Sequence, residues 1–198
     1  MPWIVDYEQV LRQMRSQEMR CLYHNSGAFG FGDGVVVRSL GWMGPEDPTV
    51  RLSARAQARQ VPPPYEQNLA DLVVRAWREV LPGKAWVMPR SHWSYELDFG
   101  SRDWLPAVLE HVGIDPGQLS SRNNAAAVEF TPTEREPFLH LTHSLLQMLL
   151  GSDFSVAFPG RPAACTLHHH KQVWWTTSDR DLYAALDHLL PATDSPAP

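Results

Sequence analysis

Apolar residues recur along this chain in two rhythms, one of helical and one of strand period. The clearest helical stretch is Tyr65 to Leu81, where Leu69, Leu72, Val73, Ala76, Trp77 and Val80 share one stripe and Pro82-Gly83 closes the run. The same spacing predicts a helix over residues 4–18 through Tyr7, Val10, Leu11 and Met14. It predicts another from about Ser101 or Asp103 to Gly113 through Leu105, Val108, Leu109 and Val112. Overlapping capping patterns, Thr131-x-x-Glu134 and Thr133-x-x-Glu136, introduce a helix running through Phe138, Leu141, Leu145, Met148 and Leu149 to Gly151. Ser178-x-x-Asp181 caps a last one that contains Leu182, Leu186, Leu189 and Leu190 and stops at Pro191. A shorter helix is expected from about Thr49 to Gln60, ended by Pro62-Pro63-Pro64.

Strand rhythm is expected at Arg20 to His24 and Val35 to Arg38, joined as a hairpin across the flexible, Gly-rich Gly27 to Gly34 loop. It recurs at Lys84 to Met88, His92 to Phe99, Ala126 to Phe130, Phe154 to Phe158, Ala163 to His168 and Gln172 to Thr177. Gly41 to Pro48 reads as irregular, and Gln118 to Asn124 as a polar loop. Hairpins interspersed with helices, rather than strict βα alternation, predict an α+β fold: a mostly antiparallel or mixed sheet covered by amphipathic helices on one face. Residues 1–191 are read as one globular domain and 192–198 as a disordered tail.

Alternation sorts each strand into two faces. In His92 to Phe99, Trp93, Tyr95, Leu97 and Phe99 point one way, and His92, Ser94, Glu96 and Asp98 the other. Val128 and Phe130 oppose Glu129; Cys165, Leu167 and His169 oppose Thr166 and His168; Val173 and Trp175 oppose Gln172, Trp174 and Thr176. If these strands are neighbours, the polar faces gather imidazoles and carboxylates. His92, Glu96 and Asp98 are the candidate catalytic acid and base groups, because both types titrate within a few units of neutral pH. Thr166, His168 and Trp174 are candidate ligand-binding residues, Trp174 as a ring left on a polar face. Arg122 and Asn123, with Asn124, add forked and amide donors in a loop; turn chemistry is an equal explanation for the asparagines.

His168 and His170 are candidate ligands for a divalent metal, two imidazoles on one side of a strand with a carboxylate from another strand as a third group. The plainer reading, a solvated sheet face whose histidines sit near a turn, is preferred on pattern alone to either a ligand site or a metal site. Solvated faces are likewise preferred for Glu136, His140 and His143 and for the stripe Arg51, Arg55 and Arg59, and packing is preferred for Cys165 and His169.

Composition narrows the field without choosing. The chain has 198 residues, 43% hydrophobic and 20% charged, with 17 prolines and 8 tryptophans. A net charge of -5 gives no overall attraction to nucleic acid or an anionic membrane, so neither is an expected partner. Two cysteines make no disulfide framework or Cys-x-x-Cys motif. A start that turns acidic at Asp6, and the lack of an apolar run near the ~18 residues of a spanning helix, leave a cytoplasmic location by elimination. The functional expectation is a small-molecule-binding or enzymatic site on the His, carboxylate and Trp face. The alternatives are a noncatalytic protein interaction module using exposed aromatics such as Trp42 or Phe29, and a metal-dependent hydrolase.

Overall fold

A computed structural model of the chain describes residues 1–44, 56–121 and 124–190. The polypeptide runs β1 (Trp3–Asp6), α1 (Tyr7–Arg15), β2 (Met19–Cys21), β3 (Phe29–Phe31), β4 (Arg38–Met43), β5 (Ala56–Gln60), α2 (Tyr65–Glu79) and β6 (Ala85–Pro89). It continues with α3 (Trp93–Tyr95), which passes into a π-helical turn (Glu96–Gly100), then α4 (Leu105–His111), α5 (Pro116–Ser121), β7 (Ala125–Phe130) and α6 (Arg135–Met148). Last come β8 (Phe154–Ala157), β9 (Ala163–His168), β10 (Gln172–Thr177) and α7 (Arg180–His188). The architecture is α+β, as the mixed rhythms predict. An eight-stranded sheet of order β1-β7-β6-β8-β9-β10-β4-β5 is antiparallel throughout except for the parallel β4–β5 pair, and β2 and β3 form a separate two-stranded sheet.

One face of the large sheet carries Leu40, Trp42, Val87, Val128, Phe130, Phe154, Val156, Cys165, Leu167, Val173 and Trp175. The apolar stripes of α2, α4, α6 and α7 close over it. Trp77 of α2 meets Phe138 of α6 edge to face at 4.6 Å, and its indole N–H donates to Gly83 O at 2.8 Å just past the helix end. That bond gives a fully buried indole the acceptor it needs. Helical cover is not confined to this side, however. On the opposite face, Tyr7, Val10 and Met14 of α1, with Met19 and Phe31 of the small sheet, pack on Val5, Trp86, Met88 and Ala157. This second core lies on the β1-β7-β6-β8 half of the sheet. The β9-β10-β4 half of the same face keeps a partly exposed polar floor, with Ser39, Thr166, His168, Trp174 and Thr176 all of intermediate burial.

Several local expectations are corrected. His92–Phe99 is not a strand: Trp93, Glu96 and Leu97 are buried while Tyr95 and Phe99 are exposed, an i, i+3, i+4 pattern of helical turns. Its alternating polar letters coincide with a strand pattern, but Trp93 donates to Ala126 O at 2.9 Å and thereby pins a helix across the end of the sheet. Residues 56–60 are strand rather than helix, because β4 offers them an unpaired edge; residues 45–55, including Arg51 and Arg55, lie outside those described. Arg59 is no part of a solvated helical stripe. It pairs with Asp187 at 2.7 Å and donates to Leu190 O, neutralising the C-terminal end of α7.

The Gly-rich segment contains β3, which pairs with β2 in place of the expected Val35 to Arg38 strand. Trp42 belongs to β4 and is wholly buried, so it offers no contact surface, and Phe29 is half-buried against the second core. Residues 3–6 are a strand rather than the opening of α1, and residues 116–121 are a helix rather than a loop. The last helix is capped one residue later than expected, by Asp179, whose carboxylate accepts from Asp181 N and Leu182 N. No helix among the described residues is long and apolar enough to cross a membrane.

Candidate functional site

The exposed half of the sheet is organised by the β9–β10 hairpin. Gln172 pairs with His168 and Trp174 with Thr166, which leaves His169, His170 and Lys171 as a three-residue loop. Lys171 takes the positive φ of 57° that such loops require at their last position. Four contacts fix this turn. Gly44 N–H donates to Lys171 O at 2.9 Å, Lys171 Nζ pairs with Glu66 Oε1 at 2.5 Å, and His169 N–H donates to Asp153 Oδ1 at 3.3 Å. The fourth is His170 N–H to His168 Nδ1 at 3.2 Å. The Lys171 ammonium and its hydrogen bond hold the Glu66 carboxyl below its ordinary range.

A tight reversal projects consecutive side chains toward one point, and here the three imidazoles cluster. The His168 and His169 rings stack at 4.2 Å, and His170 stands edge-on to both at 5.0 and 4.3 Å. One ligand atom from each ring lies within 4.8 Å of the others. Asp153, just before β8, adds a carboxylate: Oδ1 is 2.9 Å from His169 Nδ1, and Oδ2 is 3.9 Å from His168 Nε2. An ionised carboxylate can only accept, so His169 Nδ1 is the donor and in the neutral ring the lone pair is on Nε2, the carboxylate–imidazole arrangement seen behind metal ligands. On His168 the backbone N–H of His170 makes Nδ1 the acceptor, so the neutral ring carries its proton on Nε2.

Burial lowers the proton affinity of His168. Asp153 opposes that shift, and the neighbouring imidazoles and the Arg90 guanidinium reinforce it. Burial thus favours the neutral form of the ring, the form in which an imidazole can bind a metal.

Thr166, His168 and Trp174 thus share a face, as strand alternation predicts. Trp174 lies across Gly41 of β4 so closely that a Cβ there would sit 2.6 Å from the ring, and its N–H donates to Gln172 Oε1 at 2.8 Å. Arg90, just past β6, donates from Nη1 to Thr166 Oγ1 at 3.2 Å. The other expected residues are elsewhere. His92 begins α3, where Nδ1 contacts Asn25 O at 3.1 Å, and it lines a cavity of about 230 Å³ with His24, Trp93, Ser94 and Ser120. Asp98 is exposed on the π-helical turn. Glu96 is 0% exposed, and its carboxylate accepts from Ser91, Ser101 and Ser152 Oγ at 2.5, 2.9 and 3.0 Å. Arg122 and Asn123 lie outside the described residues.

On α6, the His140 ring lies 4.2 Å from that of His111 of α4, tilted by 40°, and burial and the neighbouring His111 and His143 lower its proton affinity. Sequence spacing assigned His169 to packing and singled out neither Asp153 nor Arg90. The signal for His169 was the turn itself: strand alternation stops where a hairpin reverses, so His169 did not belong to the apolar side. Comparison with known proteins yields no matching family model, curated protein or solved structure.

Proposed function

We propose that the protein binds a divalent transition-metal ion at the His168-His169-His170 turn, with Asp153 behind His169, and that this centre opens onto a small-molecule-binding face floored by Thr166 and Trp174. The observation that carries the reading is the convergence of three imidazole ligand atoms within 4.8 Å. Imidazole suits zinc, nickel, copper and iron. Tetrahedral zinc with bonds of about 2.05 Å needs ligand atoms roughly 3.3 Å apart. Binding would draw the three rings together by side-chain rotation, and His168 and His169 already meet Asp153. Three imidazoles leave a coordination position for a ligand.

The reading is one of binding rather than hydrolysis. Glu96, the carboxylate expected to act as a base, is enclosed and already accepts three hydroxyls.

The test is zinc titration of chelator-treated protein against a chromophoric competitor. One equivalent is expected to bind to the wild type. His168→Ala combined with His170→Ala removes it, and Asp153→Asn weakens it by about 10- to 100-fold, the usual cost of losing a group that orients a ligand. A wild type that takes up no zinc, nickel or copper, or folded variants that bind as the wild type does, would overturn the proposal.

A further inference from the structure

The geometry points to an organic oxyanion carrying a planar ring as the ligand of this face. Its anionic end would sit between the metal and Arg90, and its ring on the indole of Trp174. The inference rests on the metal reading above and extends it to the ligand.

Arg90 is exposed and has no carboxylate partner among the described residues. A planar fork of donors with one arm tied to Thr166 presents its remaining N–H groups as a fixed oxyanion receptor. Its position is set from three sides: its backbone N–H donates to Asp153 O at 2.9 Å, its carbonyl accepts from Ser26 Oγ at 2.5 Å, and Nη1 reaches Thr166. Asp153 also holds His169 through its side chain, so one residue joins the Arg90 backbone to the imidazole cluster.

The ring end is defined by Trp174. Its cross-strand partner Thr166 holds Arg90, while its indole leans the other way, over Gly41 on β4. With one face on glycine backbone and its N–H fixed on Gln172, the ring is an immobilised apolar plate on a polar floor. From β9 to β4 is two strand spacings, about 10 Å. A bare phosphate or acetate is too short to use both ends; a nucleoside monophosphate or an arylalkanoate is long enough. Gln172 strengthens the assignment: its side-chain oxygen is taken by Trp174, and its buried Nε2 has no acceptor among the described residues.

Calorimetric titrations with adenosine monophosphate, 4-phenylbutyrate, adenosine and inorganic phosphate, on zinc-loaded and zinc-free protein, test this. At least one ring-bearing oxyanion is expected to bind the loaded protein about tenfold or more tighter than adenosine or inorganic phosphate, since only it engages both ends. Adenosine monophosphate against 4-phenylbutyrate decides between phosphate and carboxylate. Arg90→Met is expected to remove that binding without weakening zinc uptake, and Trp174→Leu to erase the preference for a ring. Equal binding of all four compounds, no binding of any, or retention of the preference in both variants overturns the inference. Failure of the metal reading is seen separately, as no zinc uptake by the wild type. The oxyanion receptor then stands only if Arg90→Met abolishes ring-bearing oxyanion binding to the zinc-free protein.

Discussion

Glu96→Ala is expected to be among the most damaging single substitutions outside the apolar core. The carboxylate is fully enclosed, and its three serine partners come from three places: Ser91 after β6, Ser101 at the end of the π-helical turn and Ser152 before β8. Ser101 N–H also donates to Glu96 O at 2.8 Å, the i+5 bond that makes this turn a π-helix. The side chain thus ties together segments far apart in sequence. A hydrogen bond to a charged acceptor contributes about 1.5–3 kcal/mol, but three on one group do not add. Losing the shared acceptor leaves three hydroxyls without it and a cavity where the carboxylate was, so the expected loss is about 3–5 kcal/mol.

Glu96→Gln keeps the volume and one acceptor, and serine hydroxyls can rotate to accept from its amide, so about 1–2 kcal/mol is expected. Gly100→Ala probes the same nest by another route, since a Cβ there would lie 2.8 Å from Glu96 Oε2 and force the carboxylate off its partners. Urea unfolding followed by far-ultraviolet circular dichroism measures all three. A loss under about 1 kcal/mol for Glu96→Ala, or equal losses for Ala and Gln, would show that the hydroxyl nest does not stabilise the fold as argued.

Gly41→Ala places a methyl 2.6–2.9 Å from three carbons of the Trp174 ring, so the indole must lift and leave Gln172; an unmoved Trp174 indole N–H resonance would contradict the packing described. His168 is expected to titrate below 6.5, its ordinary value, because burial disfavours the charged ring, and an NMR midpoint at or above 6.5 would refute that. The sign for stability follows by linkage: as pH falls below 6.5 the unfolded chain takes the proton first, so stability drops through that window and levels once the folded ring also protonates. Burial raises the pKa of both thiols, Cys165 far more than the partly buried Cys21, so a thiol reagent at pH 8 should modify Cys165 only on unfolding; fast reaction of both in the folded protein would disprove this.

The fold was legible wherever one apolar period ran long enough to outvote chance. α2, α6 and α7, and the β8, β9 and β10 meander, lie close to where spacing alone puts them, because each buries a continuous stripe or face. Failure came where tertiary partners decide. Residues 56–60 are strand because β4 has a free edge, which no property of those five residues announces. Helical spacing was also present in His92 to Phe99, and the alternating polar letters concealed it. Trp93, Glu96 and Leu97 are its buried set, and a wholly buried glutamate is invisible to any rule that reads charge as exposure.

The candidate site divides along the same line. Thr166, His168 and Trp174 share a face because alternation within β9 and β10 fixes side-chain direction, and the antiparallel pairing that aligns them follows from a short hairpin. Asp153 and Arg90 come from segments before β8 and after β6. They reach His169 and Thr166 only because β6, β8 and β9 are consecutive in the sheet, and strand order is a property of the whole chain. The three histidines were visible as letters, yet strand period divided them between two faces. A reversal of direction cancels that division. Within the three-residue loop the backbone turns faster than the side chains alternate, so neighbours in sequence become neighbours in space. The hairpin geometry therefore turns a run of histidines into a cluster, and Asp153, fixed by the adjacent strand, orients one of its rings.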